Sequence, residues 1–208
     1  MPAMQKRKYG YILLTLLVIS GLAGTPSGNT LSKKERKFAI EQMKDSRADV
    51  VKSVKDLTEA QLNFRPGQDQ WTIKECIYHI AISERNLGNL IEATMKSPAN
   101  PEKRSEIKLT DEELVRRIQD RSFKVKTKEQ FEPKNTPYKN LDEALTDFKI
   151  NRVSHIKYVK STTEDLRNHV TQMSFGWLDC YQICLMISAH SNRHIQQINE
   201  VKNSTDFP

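Results

Sequence analysis

The stretch Ile187-Ser188-Ala189-His190-Ser191-Asn192-Arg193-His194-Ile195-Gln196-Gln197-Ile198 decides how this chain is read. Around it, Ile183, Ile187, His190, His194, Ile198 and Val201 recur at intervals of three and four residues. Side chains so spaced lie on one face of an α-helix. The face is apolar except for two histidines one turn apart, and a buried imidazole needs hydrogen-bond partners or a metal ion. Two imidazoles four residues apart can grip one ion between them. Ser191 stands where a zincin HExxH motif needs glutamate, so that family's built-in base is missing.

Moving outward, Thr72, Cys76, His79, Ser83, Leu87 and Leu90 repeat the same spacing and bring a third histidine onto an inward stripe. Leu141, Leu145, Phe148, Arg152, His155 or Ile156, and Val159 form another. Phe38, Ile40, Met43, Val50, Val51, Val54 and Leu57 mark a further helix, opened by Ser32 with Glu35 three residues on, a capping box. These patterns predict long helices over about 33–56, 72–96, 140–160 and 178–202, an all-α four-helix bundle. Pro66-Gly67 breaks the first connection, and Ser97-Pro98-Ala99-Asn100-Pro101 ends the second helix. The connection between helices two and three is long, polar and irregular, with a short helix over about 111–121 behind the Thr110/Glu113 capping box. Residues 166–175 read as a loop or short helical piece, with no strand predicted anywhere.

The N-terminus reads as an address. Lys6, Arg7 and Lys8 precede an apolar run from Tyr11 to Ile19, and Gly21-Leu22-Ala23-Gly24 supplies small residues for cleavage. That order is a secretory signal peptide over 1–24, too short for a comfortable membrane span. The expected division is therefore a signal peptide (1–24), a flexible mature start (25–32), the bundle (33–203) and a short tail (204–208). The expected location is periplasmic or secreted, with no membrane span after cleavage. The whole chain carries 33 Lys+Arg against 26 Asp+Glu, for +7; without Lys6, Arg7 and Lys8 the excess is +4. Basic and acidic residues are interspersed, and no basic stripe with interleaved aromatics marks a nucleic-acid partner. Cys76, Cys180 and Cys184 are an odd set among apolar neighbours, read first as small buried hydrophobes. Cys76 also stands three residues before His79, where it could line a metal pocket.

Three inward histidines, His79, His190 and His194, make a candidate metal set with one coordination position to spare, as catalytic rather than structural zinc sites have. His155 is a candidate fourth ligand, or a packing residue. Arg152 is a candidate hold for an anionic substrate group, or an arginine that snorkels to the surface or makes an ion pair. His169, in a polar stretch, is expected to be exposed.

At these residues the chain resembles the DinB-like (DinB/YfiT-like metalloenzyme) superfamily. Leu57-Thr58-Glu59-Ala60-Gln61-Leu62-Asn63-Phe64-Arg65-Pro66 resembles its helix-one exit. Gln70-Trp71-Thr72-Ile73-Lys74-Glu75-Cys76-Ile77-Tyr78-His79-Ile80-Ala81 is similar to its W-[ST]-x-x-E-x-x-x-H-[IL] segment, and His190 to Ile198 to its closing H-x-x-[RH]-H-x-x-Q-I segment. The resemblance spans about 33–203. It implies an up-down-down-up bundle, often a homodimer. It also implies a divalent metal, zinc or nickel, on His79, His190 and His194, with Trp71, Thr72 and Glu75 shaping the start of helix two. Characterised relatives use or transfer low-molecular-weight thiols, and most members have no assigned reaction. The export signal departs from the family pattern. Two functions follow as expectations: an exported metal-dependent enzyme of hydrolase or thiol-transferase type acting on an unknown small molecule, or a non-catalytic bundle that binds a metal or small ligand.

Overall fold

The computed structural model describes residues 30–208, so the signal-peptide reading lies outside the described residues. Four long helices form the bundle: α1 (Lys33–Ser53), α3 (Ile73–Lys96), α5 (Leu141–Ser161) and α6 (Cys180–Lys202). Two short helices join them, α2 (Glu59–Asn63) and α4 (Asp111–Gln119). Their starts are written in the sequence. Ser32/Glu35, Thr58/Gln61, Thr72/Glu75 and Thr110/Glu113 all close reciprocal capping boxes, and the Asn140 and Asp179 side chains cap α5 and α6. The polar stretch after α1 holds α2, which the sequence reading passed over.

α6 packs on α1 and α3, and α5 packs on the same two from the other side, so α1 and α3 are diagonal. Near the start of α1, Arg36 donates to the Val159 carbonyl near the end of α5. At the start of α6, the Tyr181 hydroxyl donates to the Glu35 carbonyl of α1. α1 thus runs against α5 and alongside α6. α4 covers the remaining flank of α6, so every residue from Cys180 to Ala189 is buried. An amphipathic stripe alone does not announce such burial.

One expectation is corrected. Residues 166–175 are neither loop nor helix throughout: Val170–Met173 (β1) pairs antiparallel with Gly176–Asp179 (β2). The hairpin turns at Ser174-Phe175, and Gly176 has φ +139°, a conformation that strains any side chain. Only Val170 and Leu178 carry apolar burial into it, too little alternation to read as strands. Among the described residues no helix is long and apolar enough to cross a membrane.

Candidate metal centre

Two bundle helices carry the site. His79 lies in the second turn of α3, fixed by the Thr72/Glu75 cap below it, and His190 and His194 lie one turn apart on α6. Packing α3 against α6 brings one ligand-type nitrogen from each ring within 4.8 Å of the others. Nε2 of His190 is 3.2 Å from Nε2 of His79 and 3.2 Å from Nε2 of His194. His79 and His194 are buried, and His190 keeps a partly accessible surface.

The outer nitrogens fix the tautomers. Nδ1 of His79 lies 2.8 Å from the Phe131 carbonyl, which can only accept, so Nδ1 carries the proton and Nε2 is bare. Nδ1 of His194 lies 2.9 Å from Oε1 of Gln197, an oxygen that also faces the Arg121 guanidinium at 3.4 Å. His194 therefore donates there and its Nε2 is also bare. His190 can give a proton to only one of the two, which leaves at least one bare Nε2 without a donor, 3.2 Å from the His190 ring. Ser83 Oγ, 3.5 Å from Nε2 of His79, is too distant to relieve this well. A hydrogen-bonded trio is unsatisfied in this arrangement. A divalent cation accepts all three lone pairs, with the outer N–H groups of His79 and His194 oriented as ligating imidazoles require.

Burial holds all three imidazoles below the usual histidine range, His190 and His194 well below it. For His79 the Phe131 hydrogen bond opposes burial; for the other two, neighbouring histidines add to it. The rings are neutral at neutral pH, the form that binds metal. Trp71 walls the cluster, its indole stacked on His194 (5.8 Å between centroids, 17° between planes) and 4.9 Å from His79. Beyond Trp71 and His194 opens a cleft of about 730 Å³.

The other candidate residues lie elsewhere. Arg152 is completely buried, and its guanidinium is spent on protein. It bonds Glu84 through two nitrogens (2.8 and 2.7 Å), Ser46 Oγ (2.6 Å), the Met43 carbonyl (3.0 Å) and Ser191 Oγ (2.9 Å). It is the partner of a buried acid rather than a substrate hold. His155 places Nδ1 2.9 Å from Glu84 and belongs to that same network, outside the histidine cluster. Gly88 makes room for it, since a β-carbon there would stand 2.2 Å from Nε2 of His155. Cys76 packs in the apolar core, and burial pushes its thiol up. His169 is half-buried, with Nδ1 3.2 Å from the Thr94 carbonyl, not exposed. The sequence reading missed Phe131 and gave Gln197, the glutamine of the closing segment, no role. Gln197 was findable three residues past His194, but Phe131 acts through its backbone and left no side-chain signal.

The model of the DinB superfamily matches residues 42–198, a span that contains all three histidines. The chain belongs to the DinB superfamily. In the solved structures it is similar to a protein described as "YfiT from Bacillus subtilis is a probable metal-dependent hydrolase with an unusual four-helix bundle topology". The TM-score is 0.59 at 14% identity, over 86% of this chain and 92% of that one, a likeness of fold. No curated protein matches.

Proposed function

We propose that this DinB superfamily member is an exported metal-dependent enzyme of hydrolase type, with a divalent metal on His79, His190 and His194. The observation that carries the reading is the convergence of three Nε2 atoms, two stripped of protons by the Phe131 carbonyl and Gln197. Zinc suits three neutral imidazoles, and nickel does too. Such an ion, when bound, lowers the pKa of a coordinated water toward neutrality and polarises a substrate carbonyl. The chain's own part is to hold the rings in one tautomer, to wall the cluster with Trp71, and to leave the cleft on one side.

A thiol transfer that runs through a cysteine of the protein itself is disfavoured. Cys76, Cys180 and Cys184 are all buried, and burial raises each thiol, that of Cys180 to about 12. Glu75 closes the α3 cap and pairs with Arg65, and Glu84 is locked to Arg152, so neither is free to act as general base. The leader over 1–24 supports export, and the family resemblance supports a homodimer; N-terminal sequencing of the secreted chain and sedimentation test these two.

The deciding experiment is metal analysis of the untagged mature protein beside H190A/H194A. About one equivalent of zinc or nickel is expected in the parent and none in the folded variant. An ester or amide substrate turned over by the parent and not by the variant then fixes the reaction class. No metal after incubation with either ion, in a folded parent, overturns the reading and leaves a non-catalytic bundle.

A further inference from the structure

The cleft beside His194 has an uneven charge. Its lining holds six cations and four carboxylates. Three carboxylates are already used within the lining. Glu75 pairs with Arg65 at 2.6 Å, Glu132 with Lys134 at 2.7 Å, and Glu200 takes Arg121 in a two-point pair, both bonds 2.6 Å. Asp69 alone remains to offset Lys124, Lys126 and Arg193. Arg193 spends its donors on backbone carbonyls, Ile118, Asp120 and Phe123, which satisfy hydrogen bonds without cancelling charge. Lys124 and Lys126 make no ion pair or hydrogen bond with any described residue, and both are exposed.

The same wall is apolar between those lysines. Phe123 and Val125 alternate with Lys124 and Lys126 along one irregular segment, and both line the cleft while 44% and 65% exposed. Of the five large hydrophobic side chains exposed among the described residues, these two share the cleft with the half-buried Trp71. Large apolar groups left in water next to unpaired cations mark a surface meant to be covered. Arg193 holds the segment in place, through its bonds to the Asp120 and Phe123 carbonyls and by lying over the Phe123 ring, 5.4 Å from its centroid.

The geometry points to an organic anion as the substrate class: a small molecule with an apolar body against Trp71, Phe123 and Val125, and a carboxylate or phosphate held by Lys124 and Lys126. This deepens the proposed enzyme reading, on which it rests, because the cleft ends at His194.

The test is calorimetric titration of the protein as purified with phenylacetate and with phenylacetamide, which differ in charge but hardly in shape. Phenylacetate is expected to bind at least tenfold more tightly and to weaken as salt rises. K124Q/K126Q is expected to lose that tenfold preference while keeping its metal content. Phenyl phosphate, run in parallel, decides which anion the cleft prefers. Equal binding of acid and amide, no binding of either, or an unchanged preference in K124Q/K126Q overturns the inference. Metal content separates the two readings. Stoichiometric metal without anion preference removes only this inference, and anion preference without metal removes only the enzyme.

Discussion

The strongest single perturbation of this bundle is Arg152→Met. Arg152 projects from α5 and bonds Glu84 on α3, Met43 and Ser46 on α1, and Ser191 on α6, so one guanidinium ties all four long helices. The Arg152 and Glu84 side chains are 0% and 1% exposed. Methionine fills much of the volume but leaves a carboxylate buried with only His155 beside it. Removing one partner of a buried pair costs about 3–5 kcal/mol. Against a total of about 5–15 kcal/mol for a domain, that is about a fifth or more of the stability. With a urea slope of roughly 1–3 kcal/mol/M, the unfolding midpoint should fall by about 1–5 M. Circular dichroism at fixed metal content reads it. Glu84→Leu should cost a similar amount by stranding the arginine, and E84L/R152M should cost at least about 2 kcal/mol less than the two singles together. Additive singles, or a loss below about 1 kcal/mol in R152M with the slope unchanged, would show that the pair is not the clamp described. The pH dependence adds a check. Burial alone would raise the Glu84 carboxyl, but the Arg152 charge and the bonds from Arg152 and His155 outweigh it and hold the group low. Its stabilisation is therefore present above the unfolded glutamate value of about 4.3 and lost as pH falls through the lower folded value.

Other outcomes follow from the same contacts. Gly88→Ala should destabilise by about 1–3 kcal/mol, because its β-carbon displaces His155 from Glu84; an unchanged melting temperature would contradict the 2.2 Å approach. Gln197→Ala removes the acceptor that fixes the His194 tautomer, and should weaken zinc binding about 10–100-fold in a chelator competition with the fold intact. Metal-free protein should lose stability as pH drops below about 6.5. Unfolded histidines take up protons there, while His79, His190 and His194, held low by burial, do not until the pH is lower still. Melting curves from pH 7.5 to 5 check this, and H190A/H194A should flatten the slope.

The helices were legible because caps and stripes are local: Ser32, Thr72, Thr110 and Asn140 each open the helix their spacing announced. The histidine trio was legible because two imidazoles on an apolar stripe need a common partner. What escaped depends on partners distant in sequence. Arg152 and His155 sit on the inward face of α5, as read, but only the fold shows that Glu84, 68 residues before Arg152, meets them both. The polar connection after α3 announced the short helix α4 by its capping box, but not what the connection packs against. α4 packs on α6 and the Phe131 carbonyl orients His79, contributions that side-chain patterning cannot carry.

Adjacent residues of α6 serve the two networks, and this placement has a mechanical consequence. Ser191 belongs to the Arg152 clamp, and its neighbour His190 stands at the centre of the nitrogen cluster. The clamp fixes the register of α6 against α3 and α5 just where His190 must meet His79. A site whose geometry must hold within about 0.5 Å needs its supporting elements fixed by contacts outside the ligand set. Glu84 lies five residues past His79 on α3, so the same ion pair steadies both ligand-bearing helices. Loosening Arg152 should therefore reduce metal affinity even in molecules that remain folded. A Gly88→Ala variant, which disturbs His155 but leaves the Arg152–Glu84 pair in place, should reduce it far less.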